Sequence, residues 1–256
     1  MSLITIKNLY KEYGDNVVLE KISLNINEGE FCTLVGPSGC GKTTFLKMLL
    51  GQETPTRGTF LLDGKAFPQE PSLERGIVFQ RYSVFENLSV LENVMLAIEL
   101  KESKFFGRLF GKKRREAKMQ ATEMLNAVGL VESLHKYPSE LSGGMQQRLS
   151  IAQSLVNRPR ILLLDEPFGA LDPGIRADMH TLILDLWKKH NLTVVMVTHD
   201  LHESFYLGSR LLVFDKVRND PQAPNRFGAQ ITYDIPVGSE EVIMTKIDKS
   251  LKEGKK

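Results

Sequence analysis

Residues 36–44 read Gly36-Pro37-Ser38-Gly39-Cys40-Gly41-Lys42-Thr43-Thr44, three glycines set ahead of one lysine and two hydroxyls. The spacing Gly-x-x-x-x-Gly-Lys-Thr suits a phosphate chain. Glycines let successive backbone N–H groups turn toward phosphate oxygens. Lys42 then reaches the terminal phosphates, and the Thr43 hydroxyl is a ligand for Mg2+. A second segment, Ile161-Leu162-Leu163-Leu164-Asp165-Glu166-Pro167, sets two carboxylates at the end of an apolar run. In a buried parallel strand that end is where ligands bind. Asp165 there holds Mg2+ through water, and Glu166, directed elsewhere, polarises an attacking water. Each segment alone has a plainer explanation, a glycine turn or a strand that stops in acidic residues. Together they point to phosphoryl transfer from a nucleotide, chemistry shared by kinases, GTPases, helicases and motors.

The elements that must position these groups follow from periodicity. Residues 3–9 and 17–26 alternate loosely and predict two strands around a turn at Gly14-Asp15. Phe31 to Val35 predicts a strand feeding the glycine loop, and a helix runs on from Lys42 to about Gly51. Gly58 to Asp63 and Gly76 to Gln80 predict two more strands. From about 85 to 155 the pattern is helical, as in Ala117, Ala121, Met124, Leu125 and Val128. Strands return at 161–164 and 194–197, separated by an amphipathic helix that carries Ile175, Met179, Leu182, Ile183, Leu186 and Trp187 on one face. Strand, helix, strand implies a parallel sheet, so the class is α/β with an all-helical insertion. Arg210 to Phe214 predicts one more strand, and beyond Val217 the pattern is weak.

Composition bounds the rest. With 256 residues, 42% of them hydrophobic and 25% charged, the chain has an ordinary globular core. A net charge of +2 gives no footprint for nucleic acid. No apolar run nears the ~20 residues needed to cross a bilayer, and the N-terminus lacks the charged and apolar regions of a signal peptide. Two cysteines, Cys32 and Cys40, make no disulfide framework and fit a reducing compartment.

One segment chooses among the nucleotide chemistries. Leu141-Ser142-Gly143-Gly144-Met145-Gln146-Gln147-Arg148 resembles the signature motif of the ABC transporter ATPases, LSGGQ, with Met145 in place of its glutamine. It lies between the phosphate loop and the acidic strand, in the family's order, and the resemblance extends to about residue 215. Ser142 offers a hydroxyl, Gly143 and Gly144 free their N–H groups, and a helix starts there, which makes a second anion-binding terminus. The resemblance implies a P-loop NTPase core of RecA-like type with an antiparallel β part (1–85 and 156–215), a helical subdomain (86–155) and a tail (216–256) within one domain. It implies that ATP and Mg2+ are bound between two head-to-tail copies, the signature of one copy covering the γ-phosphate held by the other.

Further positions take roles only through that resemblance. Tyr13 is similar to the aromatic that stacks on adenine, although an aromatic near the start of a chain more often packs. Gln80 resembles the glutamine that senses Mg2+ and the γ-phosphate. Gly169-Ala170-Leu171-Asp172 resembles the loop that couples the two sites, and Asp172 joins the nucleotide-binding set. His199 resembles the switch histidine. His135, His180, His190 and His202 are read as ordinary surface or packing residues.

The run DEPFGALD with LSGGMQQR resembles the nitrate, sulfonate and taurine importers, and the departing tail leaves room for another polar solute such as urea or guanidine. That implies permease subunits, an external solute-binding protein and a peripheral place on the cytoplasmic face of the inner membrane. An exporter, a lipid transporter, a soluble non-transport ATPase and a P-loop kinase are the rival readings. Tyr82, Val84 and Phe85 either receive a permease helix or pack internally. The block Gly111-Lys112-Lys113-Arg114-Arg115, near Phe105, Phe106 and Phe110, reads as a solvated basic loop or as a contact with anionic headgroups.

Overall fold

Alternation builds the first hairpin. A computed structural model of the chain describes residues 2–80, 83–103, 107–218, 220–223 and 225–237. Its first two strands, β1 (Ser2–Tyr13) and β2 (Asn16–Asn27), pair antiparallel across the turn at Gly14-Asp15, with Tyr13 opposite Asn16. Along β2, Ile22, Leu24 and Ile26 are buried while Lys21, Ser23 and Asn25 face water, the period of a half-covered strand. The chain continues through β3 (Phe31–Val35), α1 (Lys42–Leu50), β4 (Arg57–Leu62), β5 (Lys65–Ala66) and β6 (Arg75–Val78). Three helices follow, α2 (Val90–Glu102), α3 (Gly111–Ala127) and α4 (Gly143–Leu155). Then come β7 (Ile161–Asp165), α5 (Pro173–His190), β8 (Thr193–Val197), α6 (Leu201–Leu207), β9 (Arg210–Asp215) and β10 (Gln230–Pro236).

The strands form two sheets. One is antiparallel, in the order β2-β1-β4-β5. The other runs β10-β9-β3-β8-β7-β6, with every neighbouring pair parallel except β10 on β9. β3 and β8 are buried at every position, as strands covered on both faces must be. The pleat of β8 shows the division. Val194 and Met196 enter the core formed with α2 to α5, whereas Val195 and Val197 enter the core formed with α1 and the antiparallel sheet. Trp187 closes the first core against the sheet, its ring edge-on to Phe31 at 5.6 Å and its Nε1 donating to the Gly29 carbonyl at 3.0 Å. The expected α/β class, with an antiparallel part beside a parallel sheet, is what the chain adopts.

The helical stretch begins at a capping box. The Ser89 Oγ accepts from the Glu92 N–H at 3.3 Å, and the Glu92 carboxylate accepts from the Ser89 N–H at 2.9 Å. α2 packs on α3 and α4, and α4 reaches β6 and α5.

Two expectations are corrected. The basic block is not a loop: Lys112 to Arg115 lie in the first turns of α3, with their side chains exposed. The segment beyond 217 contains a strand, β10, on the edge of the main sheet. Arg210 on β9 holds it with two 2.6 Å bonds to the Asp234 carboxylate, which lifts the guanidinium pKa further above its ordinary value. The apolar pattern of an edge strand is diluted by polar residues such as Gln230 and Asp234, which is why periodicity alone misses it. Of the coupling residues read from sequence, Val84 packs against the core, Phe85 is half exposed, and Tyr82 falls outside the described residues, as do Phe105 and Phe106.

Candidate active site

The site forms where the C-terminal ends of β3, β7 and β8 open onto one edge of the parallel sheet. β3 ends at Val35 and the glycine loop turns at once. A Cβ on Gly36, at φ +151°, would stand 2.1 Å from the Phe214 carbonyl oxygen, so only glycine fits. The loop closes through the Cys40 N–H to the Pro37 carbonyl at 3.3 Å. It delivers the chain to α1 with Gly41 in the left-handed region, and no side chain caps the helix. The first N–H groups of α1 therefore keep no side-chain partner at the terminus where the dipole favours an anion.

Lys42 is buried, and its ammonium donates to the Gly36 carbonyl at 2.7 Å and the Pro37 carbonyl at 2.9 Å, with the Cys40 thiol at 3.6 Å. The positive charge thus lies inside the curve of the loop. Thr43 lies close enough to the carboxylate of Asp165, at the end of β7, to stabilise its charged form. Burial raises the Asp165 pKa, the neighbouring Glu166 charge raises it further, and Thr43 and Lys42 pull it back. A hydroxyl and a carboxylate side by side fit a hard divalent cation. No cluster of three acidic, histidine or cysteine residues capable of holding a metal occurs among the described residues.

Glu166 is a non-glycine residue at φ +47°, a conformation that costs about 1–2 kcal/mol. Its N–H bonds the Val197 carbonyl at 3.0 Å, and its Oε2 lies 3.4 Å from Nδ1 of His199, just past the end of β8. Strain of this kind gathers at functional positions. Gly169 brings the last partners together. A Cβ built on it would lie 3.6 Å from the His199 ring and 3.9 Å from the Gln80 amide nitrogen.

Beneath His199 runs a buried chain that motif reading does not reveal. The Thr198 hydroxyl donates to the Glu203 carboxylate, whose other oxygen lies 2.8 Å from Nε2 of His180. Thr198 and Glu203 are buried, and the edge of Phe168 covers His180. The Asp200 N–H donates to the Thr198 hydroxyl at 3.1 Å, and the Asp200 carboxylate caps α6 by accepting from the His202 N–H at 2.8 Å. His180 is thus a packing residue, as expected, but it ends a hydrogen-bonded line to the residue next to His199.

Tyr13, at the end of β1, is half exposed with its hydroxyl near Thr44 and Glu53. The signature residues stand on other elements. Ser142 caps α4, its Oγ accepting from the Met145 N–H at 3.4 Å. Gly144 is required by packing, since a Cβ there would meet Ile175 of α5 at 2.5 Å. Asp172 is exposed at the start of α5, ahead of Pro173. The structure therefore gathers Gly36 to Thr44, Gln80, Asp165, Glu166 and His199, sets Tyr13 beside the loop, and places Ser142, Gly143 and Gly144 on a helix whose packing partners are α2, α3, α5 and β6.

Residues 19–169 match the family model described as ABC transporter. The chain is 41% identical over 226 residues to the bicarbonate transport ATP-binding protein CmpD of Synechocystis sp., across 87% of this chain and 76% of that one. It is 41% identical over 215 residues to the spermidine/putrescine import ATP-binding protein PotA of Legionella pneumophila, across 83% of this chain and 57% of that one. It thus spans just over half the length of that relative. Among solved structures, the dimeric bacterial ABC transporter cassette MJ0796 superposes with a TM-score of 0.71 at 30% identity, across 92% of this chain and 99% of that one. The chain belongs to the ABC transporter family and is one of its ATP-binding, ATP-hydrolysing cassettes.

Proposed function

We propose that two copies of this chain close head to tail on two ATP molecules and drive uptake of a small polar solute through separate permease subunits. The observation that carries the catalytic half is the joining of two pairs at one sheet edge, Thr43 with Asp165 and Glu166 with His199. The loop from Gly36 to Thr44 binds the phosphate chain through its N–H groups, and Lys42 turns its ammonium from loop carbonyls to the terminal phosphates. Thr43 and Asp165, with Gln80, would hold Mg2+, which would supply charge neutralisation at the phosphates. Glu166 orients a water in line with the γ-phosphorus and takes its proton. As the oxygen–phosphorus bond forms, the bond to the bridging oxygen breaks, and ADP leaves with that oxygen. His199 holds Glu166 and, with Lys42 and the opposing copy's Ser142, offsets charge developing on the γ-phosphate.

The need for a second copy is supported by the placing of Ser142 and Gly143, exposed at the start of α4, and by the dimeric form of the similar cassette MJ0796. Asp172, exposed at the start of α5, lies on the loop that couples the two sites. Import is supported by the printed functions of the relatives, bicarbonate transport and spermidine/putrescine import. A bicarbonate-, nitrate- or sulfonate-like anion, or a nitrogen compound such as urea or guanidine, is the class of cargo. It is delivered by a solute-binding protein while this chain sits peripherally on the cytoplasmic face of the membrane. No helix among the described residues is long and apolar enough to cross a bilayer.

Glu166→Gln tests the catalytic half. The variant retains ATP and closes as a dimer, while phosphate release falls by about a hundredfold or more. Near-normal turnover would remove Glu166 from this role. Co-purification from its own cell with a polytopic permease, and stimulation of hydrolysis by the binding protein, test the import half.

A further inference from the structure

Tyr13 is held by more than its strand. Two residues before it, Lys11 is buried at 8% exposure, although lysine seldom is. Its ammonium pairs with Glu53 Oε2 at 2.7 Å, donates to the Thr54 carbonyl at 2.9 Å and stands 4.6 Å from the centre of the Tyr13 ring. The Glu53 carboxylate, three residues beyond the end of α1, also lies near the Tyr13 hydroxyl, as does Thr44 of α1. The Lys11 bond holds the Glu53 carboxyl below its ordinary pKa range, and burial and the Glu53 charge keep the tyrosine protonated.

The surrounding backbone makes this a rigid bracket. The Thr56 N–H donates to the Tyr10 carbonyl at 2.8 Å, and the Glu12 N–H donates to the Thr56 hydroxyl at 2.9 Å. The segment leaving α1 is thereby stitched along the end of β1. An ammonium on the ring and a carboxylate at its hydroxyl fix the ring relative to the helix that begins with the phosphate loop.

We infer that Lys11 and Glu53 are positioning residues that set the separation between the Tyr13 ring and the phosphate loop, and so determine how much of ATP binding comes from the base. The inference rests on the reading of Tyr13 as the surface on which adenine stacks. Stacking of a base on an aromatic side chain is worth roughly 5- to 150-fold in affinity. A ring free to rotate about its side-chain bonds forfeits part of that gain through the entropy of ordering it.

The test compares equilibrium binding of ATP and of inorganic tripolyphosphate, both with Mg2+, to the full chain. Tripolyphosphate carries the phosphates without the base. Glu53→Ala and Tyr13→Phe remove the same tie from opposite ends, and Tyr13→Phe leaves the buried ion pair intact. Both are expected to weaken ATP by about fivefold and leave tripolyphosphate unchanged, and Glu53→Ala is expected to preserve kcat at saturating ATP. The double variant is expected to lose no more than either single one. Equal loss for ATP and tripolyphosphate would show that the pair merely supports the loop and would overturn the inference. A loss of ATP selectivity in Tyr13→Ala without any in Glu53→Ala and Tyr13→Phe would overturn the inference alone. Unchanged selectivity in Tyr13→Ala would overturn the stacking reading and the inference with it.

Discussion

Glu166 Oε2 and His199 Nδ1 lie 3.4 Å apart across the C-terminal ends of two adjacent parallel strands. The backbone of Glu166 is held in the left-handed region with its N–H bonded to the Val197 carbonyl. His199 is the more exposed member, two-thirds open on its side chain against under one-third for Glu166. His199→Ala should lower kcat by on the order of a hundredfold while ATP binding to the separate subunit changes little. Phosphate release and nucleotide titration measure the two quantities. A variant with reduced affinity but unaltered kcat would place His199 in binding only.

Asp165 predicts a pH dependence of stability. Its pKa in the folded chain is raised, first by burial and then by Glu166. The folded state therefore binds a proton more readily than the unfolded one between the ordinary aspartate pKa and the raised value. Stability of the nucleotide-free chain falls as pH rises through that window, and the loss is complete above it. Asp165→Asn removes the charge, so its melting temperature should exceed that of the parent at neutral pH and match it more closely at acid pH, while hydrolysis is lost. Thermal melts across the acid range without nucleotide decide this. A variant less stable than the parent at pH 7 would refute the assignment of burial as the cause.

Legibility followed contiguity. The phosphate loop, the acidic pair and the signature each occupy a few consecutive residues, so their chemistry was readable before any fold was known. Strands buried on both faces, such as β3 and β8, announced themselves as short apolar runs. Relations between distant positions did not. Lys11 and Glu53 meet only because the segment after α1 returns to β1, and no local pattern encodes that return. β10 escaped because an edge strand carries little apolar periodicity, and its anchor to Arg210 spans 24 positions. The basic run at 112–115 reads as a solvated loop because a block of like charge carries no apolar periodicity. Packing of Ala117, Ala121, Met124 and Leu125 sets the helix there instead.

Gln147 presents the reverse case, a polar side chain with no visible return. It is fully buried in α4, and neither its amide nitrogen nor its oxygen has a hydrogen-bond partner among the described residues. A buried amide left unpaired costs about 1–3 kcal/mol. Gln147→Met, similar in size and free of that cost, should stabilise the chain by about 1 kcal/mol or more, read as a higher denaturant midpoint. Destabilisation would mean that the amide finds partners in solution.

The chain from Thr198 through Glu203 to His180 offers the sharpest separation of structure from chemistry. Thr198→Val keeps the shape of the side chain but removes the hydroxyl that donates to Glu203 and accepts from the Asp200 N–H. The buried carboxylate loses one of its two side-chain partners, a loss on the order of 2 kcal/mol. That turn also carries His199. Its loosening should lower kcat by several-fold more than it raises KM, because the histidine acts on the reacting phosphate and its water and contributes little to holding ATP. Thr198→Ser restores the hydroxyl and should recover both stability and kcat, apart from the missing methyl group. Steady-state kinetics on the three proteins, with melts alongside, test the link. If Thr198→Val lost stability yet kept full kcat, the buried chain would serve the fold and leave His199 independent of it.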